Sequence, residues 1–408
     1  MGRSNRFAQM MARLAPLALG AVLMPSCVAP GTSQAGAAMV GPATPAARLV
    51  QPPARDAADL QVLFWSDAQR AERFRAMEQW FAGHEVPAAT VPRKLVRGAP
   101  LDPATEAELR TLMEQTRTAG IIVLVDGKVR FEHYSLGMGP QDRWTSFSVA
   151  KSFTSTLLGA AVRDGHIASL DDMVTTYIPG LAGSAYDGVS VRQLATMTSG
   201  VKWNEDYTDP NSDVAQMNRF VVEHGANAIV AQMKALPREA EPGVKWVYKT
   251  GETNLIGVLV ENAVGLPLAE YAMAKIVEPA GFEGDLFWMV DPRGGNIGGC
   301  CLSITLADYA RMGQFALEGG KGIVPDGWFA EATDSAVDFG SSGFGYGYQW
   351  WTYPQGTYGA QGIFGQGITL FPDKRVVVAY IGNWATASGG SERGQLLDMS
   401  RKIAAEVE

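Results

Sequence analysis

Three observations in the sequence predict an α+β fold in which helices flank an antiparallel sheet. Strand patterns open the body of the chain at about residues 121–134. They return in its last third, and the stretch between, about 165–290, alternates helical spacing with Pro/Gly loops. A β-rich start and finish around a helical middle implies a sheet assembled from both ends of the chain, with a mostly helical subdomain set to one side.

The elements follow in order. Arg3, Arg6 and Arg13 precede an apolar run from Leu14 to Met24. That run is too short to span a bilayer, so residues 1–27 read as an export signal. Cys27, after Leu23-Met24-Pro25-Ser26, resembles a bacterial lipoprotein signal, from which Pro25 departs; Ala35-Gly36-Ala37 offers an ordinary cleavage site instead. The expected location is outside the cytoplasm, either periplasmic or held to a membrane by a lipid anchor at Cys27. Residues 28–58, rich in Ala, Pro, Gly and Ser, read as a flexible tether. Residues 59–103 should hold an N-terminal helix, with Phe74, Met77, Trp80 and Phe81 at helical spacing, then an extended arm over Pro87–Pro103.

The main domain, 104–408, begins with a helix near Ala104–Thr118. Ile121–Val125 and Val129–Tyr134 are strands joined by the tight-turn pair Asp126-Gly127. Ser148–Asp164 reads as a helix closed by Gly165, and Ile304–Gly319 as another. Tyr346–Thr352, Gly367–Phe371 and Arg375–Ile381 are predicted strands, and Glu392–Val407 a closing helix.

The chain has 408 residues, 47% hydrophobic and 19% charged, with a formal net charge of −8. That balance is globular and argues against nucleic-acid binding, which favours basic surfaces. Cys300 and Cys301 read as small buried apolar residues, a vicinal disulfide being the strained alternative. No cysteine or histidine falls at metal-ligand spacing, so no metal or cofactor is implied.

A nucleophilic serine needs a base. Only four histidines occur, His84, His133, His166 and His224, and no Gly-x-Ser-x-Gly elbow accompanies them, so a Ser-His-Asp triad finds little support. Ser-x-x-Lys supplies another route, because residues three apart share a helix face and a desolvated lysine loses its proton readily. The pattern occurs twice. Ser148-Val149-Ala150-Lys151 opens a helix-compatible run, whereas Gly200 interrupts Ser199-Gly200-Val201-Lys202. The first pair is the candidate.

The segment Trp144-Thr145-Ser146-Phe147-Ser148-Val149-Ala150-Lys151-Ser152-Phe153 resembles the nucleophile segment of the class C β-lactamase superfamily. Val191–Gly200, Tyr248–Gly257, Leu302–Ala310 and Gly362–Gln366 resemble later family segments in the same order. Trp203-Asn204-Glu205-Asp206-Tyr207, Phe64-Trp65 and the Gly-x-x-Gly-Gln run are similar to the branch containing 6-aminohexanoate-dimer hydrolases and related esterases. The resemblance implies hydrolysis of a small-molecule ester or amide through an acyl-enzyme. Ser148 would be the nucleophile, Lys151 its base and Tyr248 the proton relay. The backbone N–H groups of Ser148 and Ile363 would form the oxyanion hole, and Tyr207, Thr250 and Gly362 would contact substrate.

Two departures from the β-lactamase pattern bear on substrate. Thr250 stands where that family has Asn in Tyr-x-Asn, and Ala360-Gln361-Gly362 lacks the cation of the third motif. Both argue against efficient β-lactam hydrolysis. A cell-wall D-amino-acid peptide hydrolase, a β-lactamase and a non-catalytic penicillin-binding-like protein are the alternatives.

Overall fold

The computed structural model describes residues 47–217 and 227–407. The expected export signal, Cys27, most of the expected tether and His224 lie outside them. Two antiparallel sheets organise the described chain. The smaller runs β1 (Arg48–Val50), β2 (Gly83–Val86), β6 (Leu286–Met289), β7 (Leu302–Thr305) and β5 (Arg143–Thr145). The larger runs β4 (Lys128–Tyr134), β3 (Thr118–Val125), β13 (Val376–Gly382), β12 (Gln366–Phe371), β11 (Tyr358–Gly362), β10 (Trp351–Thr352), β9 (Gly345–Tyr346) and β8 (Val337–Asp338). The larger sheet is thus built from both ends of the chain, as predicted.

Every residue of β3 and β13 is buried. Alternate residues serve opposite faces, as the strand period requires. Ile122, Leu124, Val377 and Ala379 join the main core, which includes Leu306, Met312 and Phe315 of the Leu306–Leu317 helix. Ile121, Val123, Val376 and Val378 join a second core with Leu109 and Leu112 of the Pro103–Gln115 helix and Leu396 and Ile403 of the Glu392–Glu406 helix. The turn between β3 and β4 puts Asp126 at φ 50° and Gly127 at φ 72°. This is the left-handed pair that suits a two-residue hairpin.

Several elements differ from the sequence reading, each for a local reason. Arg48–Val50, expected within the tether, pairs with β2 at the edge of the smaller sheet. The N-terminal helix is short, Asp67–Arg73, and Met77–Gln79 is a separate 3₁₀ turn. The helix expected from Ile304 starts at Leu306, because Leu302–Thr305 is strand and the Thr305 side chain caps the helix through Asp308 N–H. Tyr346–Thr352 is a tight hairpin rather than one strand; it reverses near Gln349, whose φ is 61°. Ser148 lies in a 3₁₀ turn, Phe147–Val149, and the α-helix proper is Ala150–Arg163.

That helix runs through the interior. Its polar residues remain satisfied there: Ser152 Oγ donates to Gln349 O at 2.8 Å, Thr154 Oγ1 to Gly298 O at 2.7 Å and Ser155 Oγ to Tyr348 O at 2.6 Å. Gly159 permits close packing, since a Cβ there would lie 2.5 Å from the Trp328 ring.

Candidate active site

From Trp144 to Ala161 every residue is buried except Ser148. The turn that carries Ser148 is strained: Phe147, just before it, has φ 41°. Across from it, β11 ends at Gly362. Ile363 follows, and Phe364 takes φ 60°. A Cβ on Gly362 would stand 2.5 Å from Ser146 O, so only glycine lets this strand end approach the nucleophile turn. Ser148 and Ile363 line the same cleft, of about 590 Å³, whereas Gly362 packs behind Ile363 and is not part of its wall. Phe74 locks the two turns together. Its ring centroid is 5.0 Å from that of Phe147 and 5.6 Å from that of Phe364.

Lys151 is 1% exposed. Its Nζ donates to Gly299 O at 2.7 Å and to Thr250 Oγ1 at 3.0 Å. Burial disfavours the ammonium and brings the pKa down to about 8, while the charge of Glu205 pulls it upward. Tyr248 closes this corner from the segment before the Thr250–Val264 helix; Lys151 Nζ is 5.3 Å from its ring centroid. The ring stacks on Trp351 at 5.6 Å and meets Tyr346 edge-on at 6.0 Å, which fixes where the phenol points. Burial foremost, then Glu205, raises the Tyr248 pKa, and hydrogen bonding with Ser148 opposes them. The phenol therefore keeps its proton and suits a donor's role.

Thr250 and Tyr207 both line the cleft. They also reveal a residue that sequence reasoning passed over. Glu205 Oε1 accepts from Tyr207 OH at 2.9 Å and from Thr250 Oγ1, and its Oε2 accepts from Thr250 N at 2.9 Å and from Trp203 Nε1. The Trp203–Tyr207 run carries a likeness to relatives, but nothing in its spacing distinguishes Glu205 from Asp206, Asp209 and Asp213 nearby.

Leu60–Phe64 supply one rim of the cleft, and Pro210, Asn211 and Val214–Met217 the other. Among the described lining residues no Asp, Glu, Lys, Arg or His occurs. Cys300 and Cys301 stand side by side in this wall with their sulfurs in contact, the arrangement of the vicinal disulfide that the sequence offered as the strained alternative. The second Ser-x-x-Lys is taken apart: Ser199 is fully buried and donates to Glu252, Gly200 has φ 76°, and Lys202 is exposed. His84, His133 and His166 do not line the cleft. Among the described residues no His/Cys/Asp/Glu group forms a metal site.

The chain is similar to known proteins over most of its length. Residues 105–398 match the beta-lactamase family model. The chain is 30% identical over 360 residues to the 6-aminohexanoate-dimer hydrolase of Paenarthrobacter ureafaciens, covering 79% of this chain and 90% of that one. Among solved structures it resembles a Bacillus anthracis protein provisionally named a 6-aminohexanoate-dimer hydrolase, with TM-score 0.74, 21% identity and coverage of 87% and 98%. It also resembles a hydrolase with promiscuous acyltransferase activity, with TM-score 0.60, 16% identity and coverage of 74% and 98%. The fold is class C β-lactamase-like.

Proposed function

The chain belongs to the beta-lactamase family of serine hydrolases, and from that premise we propose that it cleaves an uncharged, largely apolar ester or amide through an acyl-enzyme on Ser148. The observation that carries this reading is a fully buried lysine, held near pH 8 in its titration, one turn from the only accessible residue of the nucleophile segment.

At neutral pH on the order of one Lys151 amine in ten is free of its extra proton. As Ser148 Oγ bonds to the acyl carbon, its proton passes to Lys151 Nζ. The carbonyl oxygen gathers negative charge and is met by the N–H groups of Ser148 and Ile363. Tyr248 then gives its proton to the departing oxygen or nitrogen and recovers one from Lys151. Water repeats the path in reverse to release the acid and restore Ser148.

The Paenarthrobacter relative is named for hydrolysis of the 6-aminohexanoate dimer, an amide with an ammonium at one end and a carboxylate at the other. Among the described residues the cleft wall is uncharged, which favours a neutral substrate over that charged dimer and over the carboxylate-bearing β-lactams or D-amino-acid peptides of other family members. Thr250, engaged by Glu205 and Lys151, adds to that preference.

The test is covalent labelling with a fluorophosphonate, read by peptide mass, beside turnover of an aryl ester and a chromogenic cephalosporin. Labelling should fall on Ser148, vanish in Ser148→Ala and persist in Ser199→Ala, and the ester should turn over far faster than the cephalosporin. Labelling on Ser199, or equal turnover of the two substrates, would refute the reading.

A further inference from the structure

Lys151 can act as base only if its lone pair faces Ser148. A neutral amine has two N–H bonds and one lone pair. In the structure Gly299 O and Thr250 Oγ1 both accept from Nζ. A carbonyl can only accept, but a threonine hydroxyl can turn and donate. If Thr250 donated to Nζ, it would occupy the lone pair that Ser148 needs.

Glu205 decides which way that hydroxyl points. Its four acceptor positions are filled by Tyr207 OH, Trp203 Nε1, Thr250 N and Thr250 Oγ1. Four donors leave no place on the carboxylate for a substrate cation. The Thr250 hydrogen is therefore committed to Glu205, and its oxygen is left to accept from Lys151. We propose that Glu205 is a positioning residue that fixes the direction of the Thr250–Lys151 hydrogen bond, reserving the Lys151 lone pair for Ser148 while holding Tyr207 against the cleft.

Other ionisable groups face the corner. Tyr248 and Tyr346 present phenols from two further segments, and Arg393, from the C-terminal helix, exerts its charge on Tyr207 and Tyr248. Lys249 and Glu252 of the neighbouring helix start are occupied with each other, 3.6 Å apart. Glu205 is the charge that acts on Lys151.

This inference rests on the acyl-enzyme reading, and the experiment separates the two. The rate of fluorophosphonate labelling at Ser148 is measured against pH in the full chain, with melting of each variant as a folding control. Wild type should gain rate with a midpoint near pH 8; absence of Ser148 labelling overturns both readings at once. Glu205→Gln, whose amide can donate to Thr250 and free its hydroxyl to turn, should label about 10²-fold more slowly at its plateau. Its midpoint should move to lower pH by about one unit, since the charge favouring the ammonium is gone.

Thr250→Val removes the competing hydroxyl together with one acceptor of Lys151, and should label more slowly than wild type but faster than Glu205→Gln. The double variant Glu205→Gln/Thr250→Val should label about tenfold faster than Glu205→Gln alone. That rescue is the signature of a misdirected hydroxyl, because damage of a merely structural kind would add. A folded Glu205→Gln with wild-type rate and midpoint, or a double variant slower than both singles, overturns the proposal. If Glu205→Gln does not fold, Thr250→Val decides: a loss as large as that of Lys151→Ala overturns it.

Discussion

In the proposed relay, Lys151 and Tyr248 approach Ser148 from different segments, and each is useful only while the other is in place. Lys151 without Tyr248 accepts a proton it cannot pass to the leaving group. Tyr248 without Lys151 has a raised pKa and no source of a replacement proton. Each of Lys151→Ala and Tyr248→Phe should lower kcat on an aryl ester by roughly 10²–10⁴-fold. The double variant should be little worse than the poorer single, because residues acting as a unit are not additive. Steady-state kinetics on folded protein checks this, and multiplicative losses would mean that the two act separately. Ser148, Lys151 and Tyr248 could be picked out in the sequence because they sit in ordered local motifs. Glu205 could not. Its importance comes from four donors supplied by Trp203, Tyr207 and Thr250, the last 45 residues away, and nothing in its own spacing distinguishes it from the acidic residues nearby.

At the scale of elements, the short helix Asp67–Arg73 packs its C-terminal end against both turns of the candidate site. Phe74, at its C-terminal end, is fully buried between the rings of Phe147 and Phe364, the two left-handed residues beside the proposed oxyanion donors. Arg70 braces the same turn, with its guanidinium 4.7 Å from the Phe364 ring and its Nε donating to Asn383 Oδ1 at 2.9 Å. Both lie outside the residues that match the family model. Phe74→Ala should cost about 3–5 kcal/mol of stability. It should also lower kcat about tenfold with KM nearly unchanged, short of the roughly 10²–10³-fold cost of deleting an oxyanion donor. Chemical denaturation and kinetics on the folded fraction test this; unchanged kcat would detach the helix from catalysis. The apolar spacing of Phe74, Met77 and Phe81 was plain in the sequence, but their partners were not. The smaller sheet escaped notice for a related reason: its strands are three or four residues long and come from distant parts of the chain.

For the molecule as a whole, buried carboxylates set the pH dependence of stability. Burial, with Asp291 adding to it, raises Glu261 from its ordinary 4.5 to about 7, even though Leu268 N and Asn296 N donate to it at 2.9 and 3.1 Å. The folded state therefore holds a proton that the unfolded chain has released between pH 4.5 and about 7. Stability from neutral Glu261 is complete below 4.5 and is lost as pH rises to about 7. Glu261→Gln, which keeps the accepting oxygen, should flatten that decline and melt above wild type at pH 8; identical pH–melting curves would remove Glu261 from the account. Glu318, lowered to about 2 by Arg93, works the other way, its contribution lost as pH falls from 4.5 towards 2. The overall architecture was legible because β3 and β13 carry uninterrupted apolar runs. The burial of single carboxylates was not, since it depends on how distant loops close over them.

The pairing of β3 with β13 has a consequence in time. During synthesis Ser148 and its helix emerge long before Ile363, and the sheet that aligns them cannot close until residues 376–382 are available. The strand nearest the nucleophile is fixed by pairing with one of the last strands to appear. Reactive geometry is therefore a late product of folding, slow to form because its contacts are far apart in sequence. Under the proposed mechanism a partly made chain that already carries Ser148 and Lys151 is still inert.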